Sequence, residues 1–105
     1  MILNIGDDLR RRIRRKIYLD CNEAYGKNNA LEKLQEECVE LAAAIIHYND
    51  GRASQMDVIT EVVDVLITCE KYVELSHCEG GIRSEFAFKI QRLRQRLDIK
   101  TEEDS

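Results

Sequence analysis

Five carboxylates form the clearest chemical pattern in the chain. Glu36, Glu37 and Glu40 make an EExxE motif, and Glu61 and Asp64 make an ExxD motif. On a helix, residues three apart share a face, so each motif presents two carboxylates in one direction. Alone, either pair describes ordinary solvated helix surface. The Asp50-Gly51 turn signal between them changes that. A chain folded back there into an antiparallel hairpin sets Glu37 opposite Asp64 and Glu40 opposite Glu61. Packed helix axes run about 8–10 Å apart, so four carboxylates converge on one small volume.

The neighbours of these acids say what such a cluster needs. Seven of the ten residues from Val58 to Ile67 are apolar. On a helical wheel, Asp57, Glu61, Asp64, Thr68 and Lys71 form a narrow polar stripe on that helix. So little polar surface predicts a helix covered on most sides. Partly buried carboxylates require a cation or a proton, and clustering like charges raises the demand. A hard divalent cation with oxygen ligands answers it, and Mg²⁺ also retains waters for chemistry. The competing reading is a set of salt bridges to Lys33 and Lys71. A di-iron bundle would need two ExxH motifs and two further Glu. Only Glu74 to His77 fits that spacing, beyond the acidic cluster. His47, on the Glu40 side of its helix, reads as a solvated helix-end residue.

The elements that must position these acids are helices. The 105 residues contain no Pro, no Trp and only 5 Gly, which favours long helices over turn-rich β architecture. With 44 % hydrophobic and 34 % charged residues, the composition suits one globular domain spanning 1–105. Periodicity predicts a first helix from about Asp8 to Ala24, carrying Leu9, Ile13 and Ile17, that ends at Tyr25-Gly26. A second follows Asn28-Asn29, where Asn29 and Glu32 have capping-box spacing, and closes near Tyr48. Ser54 with Asp57 begins a third, which runs to about Leu75. Gly80-Gly81 is expected to break the chain before a fourth helix, about Ile82 to Leu97, that buries Phe86, Ile90, Leu93 and Leu97. The acidic tail from Thr101 to Ser105 reads as frayed. Short connections between amphipathic helices predict an all-α, four-helix bundle-like fold. The broad apolar surface of the third helix predicts a homo-oligomer.

Several function classes recede at this stage. Sixteen Lys and Arg against 20 Asp and Glu leave a net charge of −4, which does not favour a nucleic-acid binder. No apolar run approaches the roughly 18 residues that span a bilayer, and no signal-peptide pattern precedes Asp7-Asp8. The expectation is a cytoplasmic protein with no membrane partner. Cys21, Cys38, Cys69 and Cys78 lack CxxC spacing and read as reduced, mostly buried small hydrophobes.

The acidic spacing has a known counterpart. EExxE, a spacer of 20 residues and ExxD resemble the signature of the MazG-like nucleoside triphosphate pyrophosphohydrolases. Tyr25-Gly26 resembles that family's lead-in to its second helix, and the run after Asp64 resembles its continuation. The ending from Phe88 through Lys89, Arg92, Leu93, Arg96 and Leu97 resembles the KxxRLxxRL close of short, phage-type members. The resemblance covers about Tyr25 to Leu97. It implies an all-α NTP pyrophosphatase fold that forms a homo-dimer or homo-tetramer. It also implies Mg²⁺-dependent cleavage, with Mn²⁺ as an alternative ion, between the α- and β-phosphates of a nucleoside triphosphate. By position, Glu37, Glu40, Glu61 and Asp64 would be the metal ligands. Glu36 would stand behind them or orient the attacking water.

A polyphosphate also needs cations from the protein. Lys89, Arg92 and Arg96 form a stripe beside the apolar face of the fourth helix, with the side-chain types that contact phosphate. Lys71 shares the acidic stripe and offers a phosphate contact or a salt bridge. Arg10, Arg11, Arg12, Arg14, Arg15 and Lys16 place six positive charges within seven residues. They wrap nearly the whole helix without interleaved aromatics, so they read as a solvated helix, with pairing to acids of another subunit as its companion expectation. Three functions remain open: the pyrophosphohydrolase, a non-catalytic helical interaction module with a solvated acidic face, and a small nucleic-acid-binding regulator.

Overall fold

In the computed structural model, residues 8–26 and 29–104 are described, and they form four helices with no strand among them. These are α1 (Asp8–Tyr25), α2 (Asn29–Asn49), α3 (Gln55–Ser76) and α4 (Glu79–Asp104). The all-α class is therefore as expected. Lys27, Asn28, Ser105 and the residues before Asp8 lie outside the described residues.

The hairpin of α2 and α3 is the centre of the chain, and local chemistry at its turn sets it. Gly51 has φ 75°, a left-handed conformation that glycine adopts without a Cβ clash. Arg52 N–H then donates to His47 O at 2.8 Å, closing the end of α2. Ser54 begins α3 with a full capping box: its hydroxyl accepts from Asp57 N–H, and the Asp57 carboxylate accepts from Ser54 N–H. At the other end His77 takes the left-handed position, φ 54°, and its N–H reaches Val73 O.

The packing has an unequal pattern. The α2–α3 interface is the most extensive; α1 packs on α3 and touches α2 lightly, and α4 packs lightly against α3 and is tied to α1 at its first residue, where Arg11 holds Glu79. Among the described residues Tyr18, Ala30 and Val73 are the buried apolar ones, joined by the buried polar groups Thr68 and Glu70. The Tyr18 hydroxyl donates to Glu70 Oε1 at 2.7 Å, and Arg14 reaches the same carboxylate at 2.6 Å. Arg11 spans Glu74 and Glu79, and Arg15 approaches Glu74 at 3.6 Å.

Five sequence expectations change here. The basic run is not simply solvated or reserved for another subunit, because Arg11, Arg14 and Arg15 pair with acids of the same chain. The glycine pair does not break the chain. Gly80 and Gly81 sit inside the first turn of α4, where backbone N–H groups lack intrahelical partners in any case. The helix also continues past its expected end near Leu97, to Asp104. Phe86, Ile90, Leu93 and Leu97 are not buried: they are 48–64 % exposed, because α4 leaves the body of the chain. The cysteines are less buried than expected. All four are free, Cys38 is exposed and the others are intermediate. No described helix is long and apolar enough to cross a membrane.

Candidate metal centre

The hairpin brings the two acidic motifs together. One carboxylate oxygen from each of Glu37, Glu61 and Asp64 lies within 4.8 Å of the other two, and all three residues are half-buried. Glu37 Oε2 and Glu61 Oε2 are cut off from solvent and have no hydrogen-bond partner among the described residues. Such oxygens have lost water without gaining a donor, which is costly for a charged group.

The electrostatics follow from this crowding. Burial pushes the Glu37 carboxyl above its ordinary range; the charge of Glu40 and a hydrogen bond shared with it add to the shift, followed by the charges of Asp64 and Glu61. Burial raises Glu61 as well, with Glu40 and Asp64 contributing repulsion. Glu40 is thus a near neighbour of the triad while remaining exposed. Glu36 is exposed, lies outside the triad and pairs with Lys33 at 3.1 Å. The salt-bridge alternative therefore describes Glu36 and not Glu37 or Glu61. Lys71 is half-buried on α3 and forms no ion pair among the described residues.

Beside the triad lies an open cleft of about 480 Å³. Glu40 and Glu61 form one end, and His47, Arg52 and Asp57 line the rest. Its walls are low because Ala43, Ala44 and Ala53 leave room. Arg52 was not singled out from sequence. It holds Asp50 at 3.0 Å and offers the cleft a guanidinium. The alanine run in α2 is the sequence signal for this space, since consecutive small residues beside acids leave a depression on a helix face. His47 is exposed as expected, and it shares this wall with Glu40.

The remaining predicted site residues lie elsewhere. Lys89, Arg92 and Arg96 are exposed on α4, which does not pack on α2. The Arg92 guanidinium stacks over the Phe88 ring, 5.9 Å from its centroid. The chain's own fold therefore does not bring the basic stripe to the acids. Glu74, the first residue of the ExxH pair, is occupied by Arg11, and no second His-bearing acidic group appears among the described residues. Three or four oxygen donors without thiolate or imidazole suit a hard cation such as Mg²⁺ or Mn²⁺ better than Zn²⁺. Compared with protein-family models, with curated proteins and with solved structures, the chain matches none.

Proposed function

We propose that the chain is a Mg²⁺-dependent nucleoside triphosphate pyrophosphohydrolase, yielding a nucleoside monophosphate and pyrophosphate, and that Mn²⁺ can replace Mg²⁺. One observation carries this reading. Two carboxylate oxygens, on Glu37 and Glu61, are shielded and partnerless inside a three-acid cluster at the mouth of a cleft. A solvated acidic face leaves its oxygens to water, and a structural ion pair supplies a cationic side chain. These oxygens have neither, and a hard divalent ion satisfies them.

In this reading Glu37, Glu61 and Asp64 hold the ion, with Glu40 completing the oxygen set from the cleft side. When bound, the cation offsets triphosphate charge and activates water. Water then adds across the α–β anhydride: its oxygen joins one phosphorus, and the bridging oxygen departs on the other with the bonding electrons. Arg52 and His47 line the space beside the acids and supply donors for phosphate oxygens. Glu36, tied to Lys33, stands outside the cation set. The EExxE and ExxD spacing resembling the MazG-like family supports the same reaction class.

A panel of ribo- and deoxyribonucleoside triphosphates, scored for pyrophosphate release with and without Mg²⁺, tests the proposal. Release that depends on the ion is expected. No release from any member, together with a Mg²⁺-induced rise in melting temperature, would leave a metal-binding interaction module. No response to the ion at all would sink the site itself.

A further inference from the structure

The root of α4 is held by side chains and not by its backbone. Hydrogen bonds complete α3 and α4 separately on either side of the joint His77-Cys78. His77 and Cys78 N–H both donate to Val73 O and close α3, while Ile82 N–H donates to Cys78 O and opens α4. His77 takes its left-handed φ of 54° without glycine's freedom, which marks a sharp change of direction. A Cβ added at Gly80 or Gly81 would meet nothing within 4 Å, so no neighbour crowds α4 at those positions. Every residue from Arg83 to Asp98 is exposed. Packing on α3 is light, and it leaves the angle between the two helices to whatever grips the root.

One side chain spans that joint. The Arg11 guanidinium donates to Glu74 Oε1 at 3.0 Å, in the last turn of α3, and to Glu79 Oε2 at 2.6 Å, on the first residue of α4. Glu79 accepts from Arg83 at 2.9 Å through its other oxygen, one turn into α4. Its carboxylate is thus tied to α1 on one side and to α4 itself on the other. The hydrogen bond from Arg11 does most to hold Glu79 below the ordinary carboxyl range. Charge-assisted guanidinium contacts of this kind fix direction as well as distance. The Glu74 side chain is 10 % exposed, so water competes little at that end of the bridge. The leverage is large. Helix α4 has 26 residues and a length of about 39 Å, so turning it by about 10° at the root moves its far end about 7 Å.

We propose that Arg11 is a strap that fixes the direction in which α4 leaves the body, and that α4 swings as a rigid arm about His77-Cys78 when the strap is cut. Lys89, Arg92 and Arg96 travel with the arm. A residue of α1 therefore sets where those cations point, although it touches none of them. The device needs neither a metal ion nor the reaction proposed above.

Residual dipolar couplings of the weakly aligned, ¹⁵N-labelled full chain read helix directions one by one. In the parent, amides 83–98 should fit the same alignment as those of α2 and α3. In Arg11→Gln, and separately in Glu79→Gln, the α4 couplings should shrink by about half or more through averaging, while α2 and α3 keep theirs. The double variant should go no further than either single one, because the two residues make one contact. Arg15→Gln is the control: it removes a charge from the same helix near Glu74, which Arg15 approaches at 3.6 Å, and should leave α4 aligned. Unchanged α4 couplings in both single variants, or couplings already averaged in the parent, overturn the strap. Averaging that spreads into α2 and α3 overturns it as well, since Arg11 would then support the whole fold. An equal effect from Arg15→Gln would show that charge on α1 matters and the bridge to Glu79 does not.

Discussion

A carboxylate oxygen removed from water is stable only when it is protonated, hydrogen-bonded or bound to a cation. Under the proposed function Glu37 and Glu61 would meet that condition through a metal ion, and substitution tests it directly. Glu61→Gln and Asp64→Asn each remove one charge from a repelling cluster, so the metal-free variants should melt at the parental temperature or above it. The same changes should abolish the Mg²⁺-induced shift and lower pyrophosphate release by about two orders of magnitude. Parallel thermal scans and turnover assays check this; variants that melt far lower without metal, yet hydrolyse normally, defeat the assignment. The pH dependence has a definite sign. Because Glu37 and Glu61 are raised when folded, the folded protein takes up protons more readily there. Their contribution is fullest below the ordinary carboxyl value and is lost as pH rises through the raised values. Asp57, Glu70 and Glu79 act oppositely: each is held low, so its stabilisation survives above the ordinary value and is lost only as pH falls through the depressed one. The metal-free protein should therefore be most stable in mildly acidic buffer. Saturating Mg²⁺ favours deprotonated ligands and should move that optimum upward, which thermal scans from about pH 5 to 8 resolve.

Helices α2 and α3 were readable because their signals are local. Ser54 and Asp57 carry both halves of the capping box, and Asp50-Gly51 supplies the left-handed turn. The opposition of Glu37 to Asp64 then followed from spacing alone. Removing the cap with Ser54→Ala should cost about 1 kcal/mol, measurable as a denaturant midpoint shift. The docking of α1 was not readable, because charge spread around a helix does not say which neighbour receives it. The structure shows Arg14 and Tyr18 converging on Glu70, which is buried to 7 % exposure. Burial alone would raise this carboxyl; the hydrogen bonds from Arg14 and Tyr18 outweigh it and hold it low. Glu70→Gln removes the charge on which Arg14 and Tyr18 converge. Its cost should be about 3 kcal/mol, at the lower end for a broken buried pair because Arg14 retains some water. Hydrogen exchange should show α1 losing protection first while the α2–α3 hairpin keeps its own. Loss of protection spread evenly over all helices would show that Glu70 supports the whole chain and not the α1 contact.

At the level of the whole molecule, sequence periodicity and structure part for a physical reason. The spacing of Phe86, Ile90, Leu93 and Leu97 identifies an apolar face, but a period carries no information about which surface covers it. The same holds for α3, whose apolar run was read as covered on most sides while Met56, Ile59, Val63 and Ile67 are exposed in the single chain. Among the described residues no side chain is fully buried. Such a chain has little core of its own, so its stability should be linked to association. Melting of a folded oligomer into unfolded monomers obeys mass action, so temperature and concentration become coupled. A hundredfold rise in protein concentration should raise the melting temperature by about 5–10 °C. Leu93→Glu places a charge in the α4 stripe and should both flatten that dependence and lower the melting temperature at high concentration. A melting temperature constant across the series, in the parent and in Leu93→Glu alike, would mean that the exposed stripes contribute nothing by pairing. The small core shared by α1, α2 and α3 would then have to hold the fold by itself.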